Sequence, residues 1–264
     1  METILYEVSD GIAHLTLNRP DVLNSINPQM IDDIRSAVAS FAKDRTARVL
    51  LLTGNGRAFC SGADLATGVV DDNDGMTTGQ RVAHGMKIGF NPLVLELAEV
   101  PKPVISAVNG ITAGGGVGLA LSADIVVAAR SAYFMQVFGP KLALIPDMGC
   151  TWFVPRLVGR ARARALAFLG NKLSAEMAAD WGLILDCVDD DKLMDHALVY
   201  ARKLADGPPN AFGEIKKALT LSETNSLSEQ LDYERDTQGM LGDHPNFKEG
   251  VVSFLKKKQP EFTA

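Results

Sequence analysis

Cysteine is scarce in this chain. Cys60, Cys150 and Cys187 are the only thiols, far apart and without a C-x-x-C pair. That excludes a disulfide framework and any standard zinc-ligand spacing, and it points to a reduced, cytoplasmic setting. Basic charge is also short: Lys+Arg 26 against Asp+Glu 32 leaves a net charge of −6. No broad basic surface is available for tracking phosphates, so nucleic acid is not an expected partner. No apolar run approaches the ~20 residues that cross a bilayer. The acidic start Met1-Glu2-Thr3-Ile4 lacks the apolar core of a signal peptide, so no membrane association is expected. The four histidines, His14, His84, His196 and His244, are not spaced as metal ligands. With 47% hydrophobic and 22% charged residues, 264 residues suit one large globular domain or a domain plus an appendage.

The pattern along the chain is that of an α/β protein. Asp10-Gly11 between two apolar stretches predicts a hairpin over 3–18. Asn27-Pro28 is a cap followed by proline at the first helical position, and Met30, Ile31, Ile34, Ala37, Val38 and Phe41 recur at helical spacing. A helix over 28–43 follows. Arg48–Thr53, Val104–Asn109 and Asp124–Ala129 read as buried strands, with a helix over Gly114–Ala123. Strands that are apolar throughout and alternate with helices argue a mostly parallel sheet covered on its faces. Residues 66–91 are rich in Gly, Asp and Thr and read as a loop or lid with a short helix near 80–90; Asp71-Asp72-Asn73-Asp74 lacks a calcium-ligand register and reads as a solvated loop. Helical signals then cover 160–169, 174–181, 191–205, 210–221, 226–241 and 245–258, the last expected to bury Phe247, Val251, Phe254 and Leu255. The expected division is a core over 1–200 and a helical region over 201–264.

Ala113-Gly114-Gly115-Gly116-Val117-Gly118 follows a strand and opens a helix, but it is no dinucleotide fingerprint. The third glycine is out of register, no acid stands ~20 residues on, and no lysine is placed for a phosphate loop. The glycines serve either close helix–strand packing or exposure of backbone N–H groups. A second segment, Phe59-Cys60-Ser61-Gly62-Ala63-Asp64-Leu65, also follows a strand with small residues. Two such loops can aim two backbone N–H groups at one oxygen, which is an oxyanion hole for an acyl compound.

Several segments, in this order, resemble the enoyl-CoA hydratase/isomerase (crotonase) family. They are Leu17-Asn18-Arg19-Pro20 with Leu23-Asn24, Ala58–Leu65, Pro101-Lys102-Pro103-Val104, Val108-Asn109-Gly110 with Gly114-Gly115-Gly116, Ala123-Asp124-Ile125, Ile145-Pro146-Asp147, Pro155–Gly159 and Ala178–Leu183. The resemblance implies a ββα spiral core that binds acyl-CoA and a helical C-terminal trimerisation region, assembled as a homotrimer or a dimer of trimers. It implies an acyl-CoA thioester substrate, with coenzyme A as part of the substrate and no separate cofactor. By position, the oxyanion hole falls on the backbone N–H groups of Ala63 and Gly115. Ser61, Asp64 and Leu65 fall along the adenine and pantetheine path. Lys257 falls where relatives reach the CoA phosphates, or it simply complements the C-terminal pole of the last helix.

The sequence departs from the hydratase pattern at both carboxylates that orient the water. The first would stand at Gly118 and the second at Gly139, seven residues before Pro146. Asp147 remains. It is either a turn or cap residue or, as in isomerases of the family, the acid/base. An apolar wall of Phe138, Leu144, Ile145 and Trp152 would raise its pKa. A dehalogenase would need a histidine where Asn91 stands. Phe134–Phe138, Ile145-Pro146-Asp147 and Thr151-Trp152 are similar to the ring-epoxide isomerase subgroup of phenylacetate degradation. The expectation is therefore an acyl-CoA isomerase that shifts a double bond or converts a ring-1,2-epoxyphenylacetyl-CoA to an oxepin-CoA. The alternatives are a hydratase-like activity and a non-catalytic acyl-CoA-binding or assembly subunit.

Overall fold

The structure is a computed structural model that describes residues 1–66 and 75–263. Strands β1 (Ile4–Ser9) and β2 (Ile12–Leu17) form the expected hairpin, with Asp10 and Gly11 at φ of 50° and 76°. Positive φ at both turn residues matches the right-handed twist of the strands. Helix α1 (Pro28–Lys43) starts where Asn27 Oδ1 accepts the Met30 N–H at 2.9 Å, and it buries the predicted apolar stripe. Its far end is closed by Lys102, whose Nζ donates to the carbonyls of Phe41, Asp44 and Ala47 at 2.7, 2.7 and 3.0 Å. A cation suits that negative pole, and burial lowers the Lys102 pKa.

Strand β3 (Val49–Gly54) leads into the short β4 (Ala58–Cys60). Of the loop expected over 66–91, residues 67–74, including Asp71–Asp74, lie outside the described residues. Helix α2 (Thr78–Gly85) opens with a Thr77/Gln80 capping box and continues through one π turn, Met86–Phe90, into α3 (Asn91–Glu99). Arg35 and Glu96, 2.7 Å apart, join α1 to α3. Then come β5 (Val104–Val108), β6 (Ile111–Ala113), α4 (Gly115–Leu121), β7 (Ile125–Ala129) and β8 (Tyr133–Met135). Helix α5 (Cys150–Leu169) begins ten residues before the predicted start and is broken at Gly159, where φ is 78° and ψ 163°. The chain continues through β9 (Lys172–Ser174), α6 (Ala175–Asp180), β10 (Asp186–Val188) and α7 (Leu193–Ala205).

Two sheets result. The larger runs β1-β2-β3-β5-β7-β10 and is parallel apart from the β1 edge; the smaller runs β4-β6-β8-β9, with β9 antiparallel. The small sheet was missed in the sequence because its strands are three residues each, too short to show a period. It is the element that matters here, since β4 and β6 end at the two glycine-rich turns.

Helix α7 packs on β2, β3, β5 and β7, so the expected boundary at 200/201 falls inside a helix that belongs to the core. Three helices follow it: α8 (Pro209–Leu221), α9 (Leu227–Gly242) and α10 (Pro245–Leu255). Lys216 of α8 pairs with Asp124 at 3.0 Å, and Arg48 donates to the Ala205 and Phe262 carbonyls. The expected burial of the last helix is wrong for this chain. Phe247, Val251, Phe254 and Leu255 are 59, 42, 83 and 74% exposed. The helical period marks an apolar face but does not say that the same chain covers it.

Candidate functional site

After β4 the chain passes through Ser61 and Gly62 to Ala63, which forms an isolated parallel bridge with Ile26. Ile26 donates to the Gly62 carbonyl at 2.8 Å and accepts from the Asp64 N–H at 2.9 Å. That pattern uses the neighbours of Ala63 and turns its own N–H away from Ile26. Gly62, at φ 96°, lies against the other turn: a Cβ on it would sit 2.9 Å from the Ala113 carbonyl oxygen and 3.1 Å from the Gly115 nitrogen. Only glycine fits both the dihedral and the space. On the other side, Gly114 adopts φ 53° and ψ −128° and caps α4. Gly115 is the first residue of that helix, where a backbone N–H has no intrahelical acceptor. A Cβ on Gly116 would meet the Cys60 carbonyl oxygen at 2.1 Å. The glycines thus pack α4 onto β4, the first of the two roles weighed for them, and they bring the two backbone turns into contact.

Asp147 stands beside these turns. The cap of α5 is Gly149, at φ 77°, with no side-chain hydrogen bond, while Asp147 contributes its backbone oxygen to the Cys150 N–H at 2.9 Å. Its carboxyl is thus not the cap. Asp147 Oδ1 lies 3.7 Å from where a Cβ on Gly115 would be, and the Met148 sulfur fills the same space at 2.7 Å. Burial raises the Asp147 pKa to about 6, against a smaller lowering by its own backbone N–H. Desolvation disfavours the charged carboxylate and outweighs that one hydrogen bond. The expected apolar wall is partly corrected. Phe138 is buried, but Leu144, Ile145 and Trp152 are exposed. The Arg156 guanidinium lies 3.1 Å from the Trp152 ring centre and pairs with Glu223 at 2.8 Å.

The two positions where a hydratase would carry acids are closed by backbone. A Cβ on Gly118 would fall 2.0 Å from the Met148 carbonyl oxygen and 2.7 Å from its Cβ. A Cβ on Gly139 would point at the Ala167 carbonyl oxygen, 2.9 Å away on α5. The turn that places Asp147 thus occupies the space of the first acid.

The family model described as Enoyl-CoA hydratase/isomerase matches residues 7–264. The 1,2-epoxyphenylacetyl-CoA isomerase of Escherichia coli is 51% identical, covering 100% of this chain and 99% of that protein. The chain belongs to the enoyl-CoA hydratase/isomerase family. A relative in Rhodobacter capsulatus named "Probable enoyl-CoA hydratase" is 43% identical over 99% of this chain and 98% of its own length. Among solved structures, an enoyl-CoA hydratase from Bacillus anthracis superposes with a TM-score of 0.91 at 30% identity, over 99% of each chain.

Other residues of the family pattern fall as follows. Asp64 is held by Arg19, whose Nη1 donates to it at 2.9 Å and to the Ser25 carbonyl at 2.6 Å. Ser61 N–H donates to the Leu23 carbonyl at 3.0 Å, and Leu65 is exposed. Asp64 and Arg19 fix the loop that presents Ala63, and the family's Leu-Asn-Arg-Pro segment was the signal for Arg19. Lys257, exposed and at φ 53°, follows α10 on the C-terminal region. His196 Nε2 and the Tyr200 hydroxyl both lie on Asp186 Oδ2, at 2.9 and 2.5 Å. No metal-binding group of His, Cys, Asp or Glu occurs among the described residues.

Proposed function

We propose that this family member is an acyl-CoA isomerase working with one carboxyl group. A single observation carries the reading: Asp147, with its pKa at about 6, stands beside Gly115, while the positions of the two hydratase acids are filled by Met148 and Ala167 backbone. The thioester carbonyl accepts the N–H groups of Ala63 and Gly115, which stabilise the negative charge as it forms. The Asp147 carboxylate takes a proton from the carbon α to the carbonyl. The dienolate keeps its charge on the thioester oxygen, and the Asp147 acid returns the proton at the γ carbon, which yields the conjugated thioester. Conversion of a ring-1,2-epoxyphenylacetyl-CoA to an oxepin-CoA takes the same proton transfer, from the α-methylene to a ring carbon, together with opening of the ring C1–C2 bond that the epoxide oxygen bridges, so that the oxygen becomes a member of the seven-membered ring; the similarity to the Escherichia coli isomerase favours that substrate. No atom is gained and no electron leaves the substrate, so the reaction calls for no group beyond the CoA that the substrate carries.

Ser61, Asp64 and Leu65 lie along the CoA path in this reading, with Lys257 at the phosphates. The exposed apolar face of α10 is covered by a second copy in a homotrimer or dimer of trimers. No helix among the described residues is long and apolar enough to cross a membrane, and the net charge of −6 offers no broad basic surface for nucleic acid; the reading is a cytoplasmic enzyme whose partner is its thioester substrate. The hydratase names among the relatives favour hydration as the second reading.

A 3-enoyl-CoA supplied in D₂O decides between them. The expected product is the 2-enoyl-CoA, carrying deuterium at the γ carbon only to the extent that the Asp147 acid exchanges with solvent before it delivers its proton, and formed about 10²–10⁴-fold more slowly by Asp147→Asn. Equal rates in both proteins would remove Asp147 from the mechanism. A 3-hydroxyacyl product would favour hydration, and tight binding without turnover of this or the ring-epoxide thioester would leave a binding subunit.

A further inference from the structure

Gln136 directly follows β8, is only 4% exposed, and makes no well-formed hydrogen bond through Oε1 or Nε2 among the described residues. A buried amide in that state costs stability that an apolar side chain of the same size would keep. It faces a narrow cavity of about 10 Å³ walled by Val117, Phe134, Val154, Leu166 and Leu183. A space of that order is at the lower limit for one water, and with no other polar side chain on its wall it leaves the amide without a second side-chain partner there.

Its position supplies a reason to retain the amide. Both chain neighbours hold Gly114: the Met135 carbonyl accepts the Gly114 N–H at 2.9 Å, and a Val137 methyl lies 3.3 Å from where a Cβ on Gly114 would be. The amide itself bears on the Cys150 thiol, which lies 3.9 Å from the Gly114 carbonyl. Cys150 in turn donates its N–H to the Asp147 carbonyl at 2.9 Å. Gln136 thus connects the turn that carries the Gly115 N–H with the segment that carries the carboxyl.

We propose that Gln136 is a positioning residue. Its amide, set against the Cys150 thiol, braces the Gly114–Gly115 turn against the start of α5 and keeps the Gly115 N–H and the Asp147 carboxyl in register. It touches no reacting atom, and its role rests on the oxyanion reading of Ala63 and Gly115 given above.

The test uses Gln136→Met, similar in volume but without the amide, and a dimethylaminocinnamoyl-CoA thioester whose absorption moves to the red when its carbonyl is polarised. Wild type is expected to red-shift the bound thioester. Gln136→Met, melting at or above wild type, is expected to lose about half of that shift or more. Its kcat on 3-enoyl-CoA falls about tenfold with KM within about twofold, the split expected when only transition-state stabilisation is lost. A stable variant that keeps the full shift overturns the role of Gln136 and leaves the oxyanion reading standing. No shift in wild type removes the oxyanion reading and the role of Gln136 with it. Should Gln136→Met melt below wild type, Cys150→Ala decides, because it cuts the link to Gly114 with the amide in place: a reduced shift supports the brace, and a full shift contradicts it.

Discussion

Helices α1 and α10 have the same apolar spacing and opposite fates. In α1 the stripe from Met30 to Phe41 is buried on the large sheet, and both ends are closed within the chain by Asn27 and Lys102. In α10, Phe247, Val251, Phe254 and Leu255 stay 59, 42, 83 and 74% exposed. Two proline starts, two amphipathic helices and one periodic signal give a self-contained core in one case and an exposed apolar surface in the other. The contrast shows what a period encodes: the direction of the apolar face but not the identity of what covers it.

The comparison can be broken most forcefully inside the closed half. Gly118→Glu places a side chain where the Met148 backbone already stands, and a loss of about 4 kcal/mol or more is expected, seen as an insoluble chain or a collapsed melting temperature, with no hydratase activity gained. A soluble, hydrating Gly118→Glu would show that the turn at Met148 yields and that the closure of the site is not as drawn. Next comes a matched pair. Phe41→Ala should cost about 3–5 kcal/mol in urea unfolding, whereas Phe254→Ala should change the unfolding of the separated chain by less than about 0.5 kcal/mol. If α10 carries the proposed subunit contact, Phe254→Asp reduces the particle mass measured by light scattering. A wild-type chain that already runs as a monomer would mean that α10 faces solvent alone.

A smaller effect concerns Asp147. Because its folded pKa of about 6 exceeds the ordinary 3.8, the folded state holds the proton more tightly than the unfolded chain. Its contribution to stability is present below pH 3.8 and is lost as the pH rises through about 6. Asp147→Asn is therefore expected to leave stability unchanged near pH 4 and to raise it by up to ~3 kcal/mol at pH 8, less what solvent screening at this partly exposed carboxyl removes. A gain independent of pH would show that burial of the charge is not what shifts the group.

Much of the core was legible because its signals are local. Asn27-Pro28 and Asp10-Gly11 fix a helix start and a hairpin through backbone chemistry that no distant contact overrides. The glycines at 62 and 114–116 could be read as a pair, since two segments of small residues after strands have few uses. The short strands of the second sheet were not legible, because three residues show no alternation. Asp147 as cap or as free carboxyl was equally undecidable from its neighbours; the answer depends on Gly149 taking the cap at positive φ and on Met148 turning inward. The exposed wall of Leu144, Ile145 and Trp152 was misread for the same reason as α10. An apolar residue near a site is covered in the chain only if some element reaches it.

The most direct test of a one-carboxyl mechanism is the pH dependence of kcat/KM on a 3-enoyl-pantetheine thioester, which has no phosphate titrating near pH 6. Asp147 must start as the carboxylate, so the account predicts a single acid limb. The rate should fall about tenfold per pH unit below about 6, run level to about pH 8, and lose the limb in Asp147→Asn. A profile level down to about pH 4.5, or a bell with a second limb near neutrality, would contradict it and require a different or a second acid.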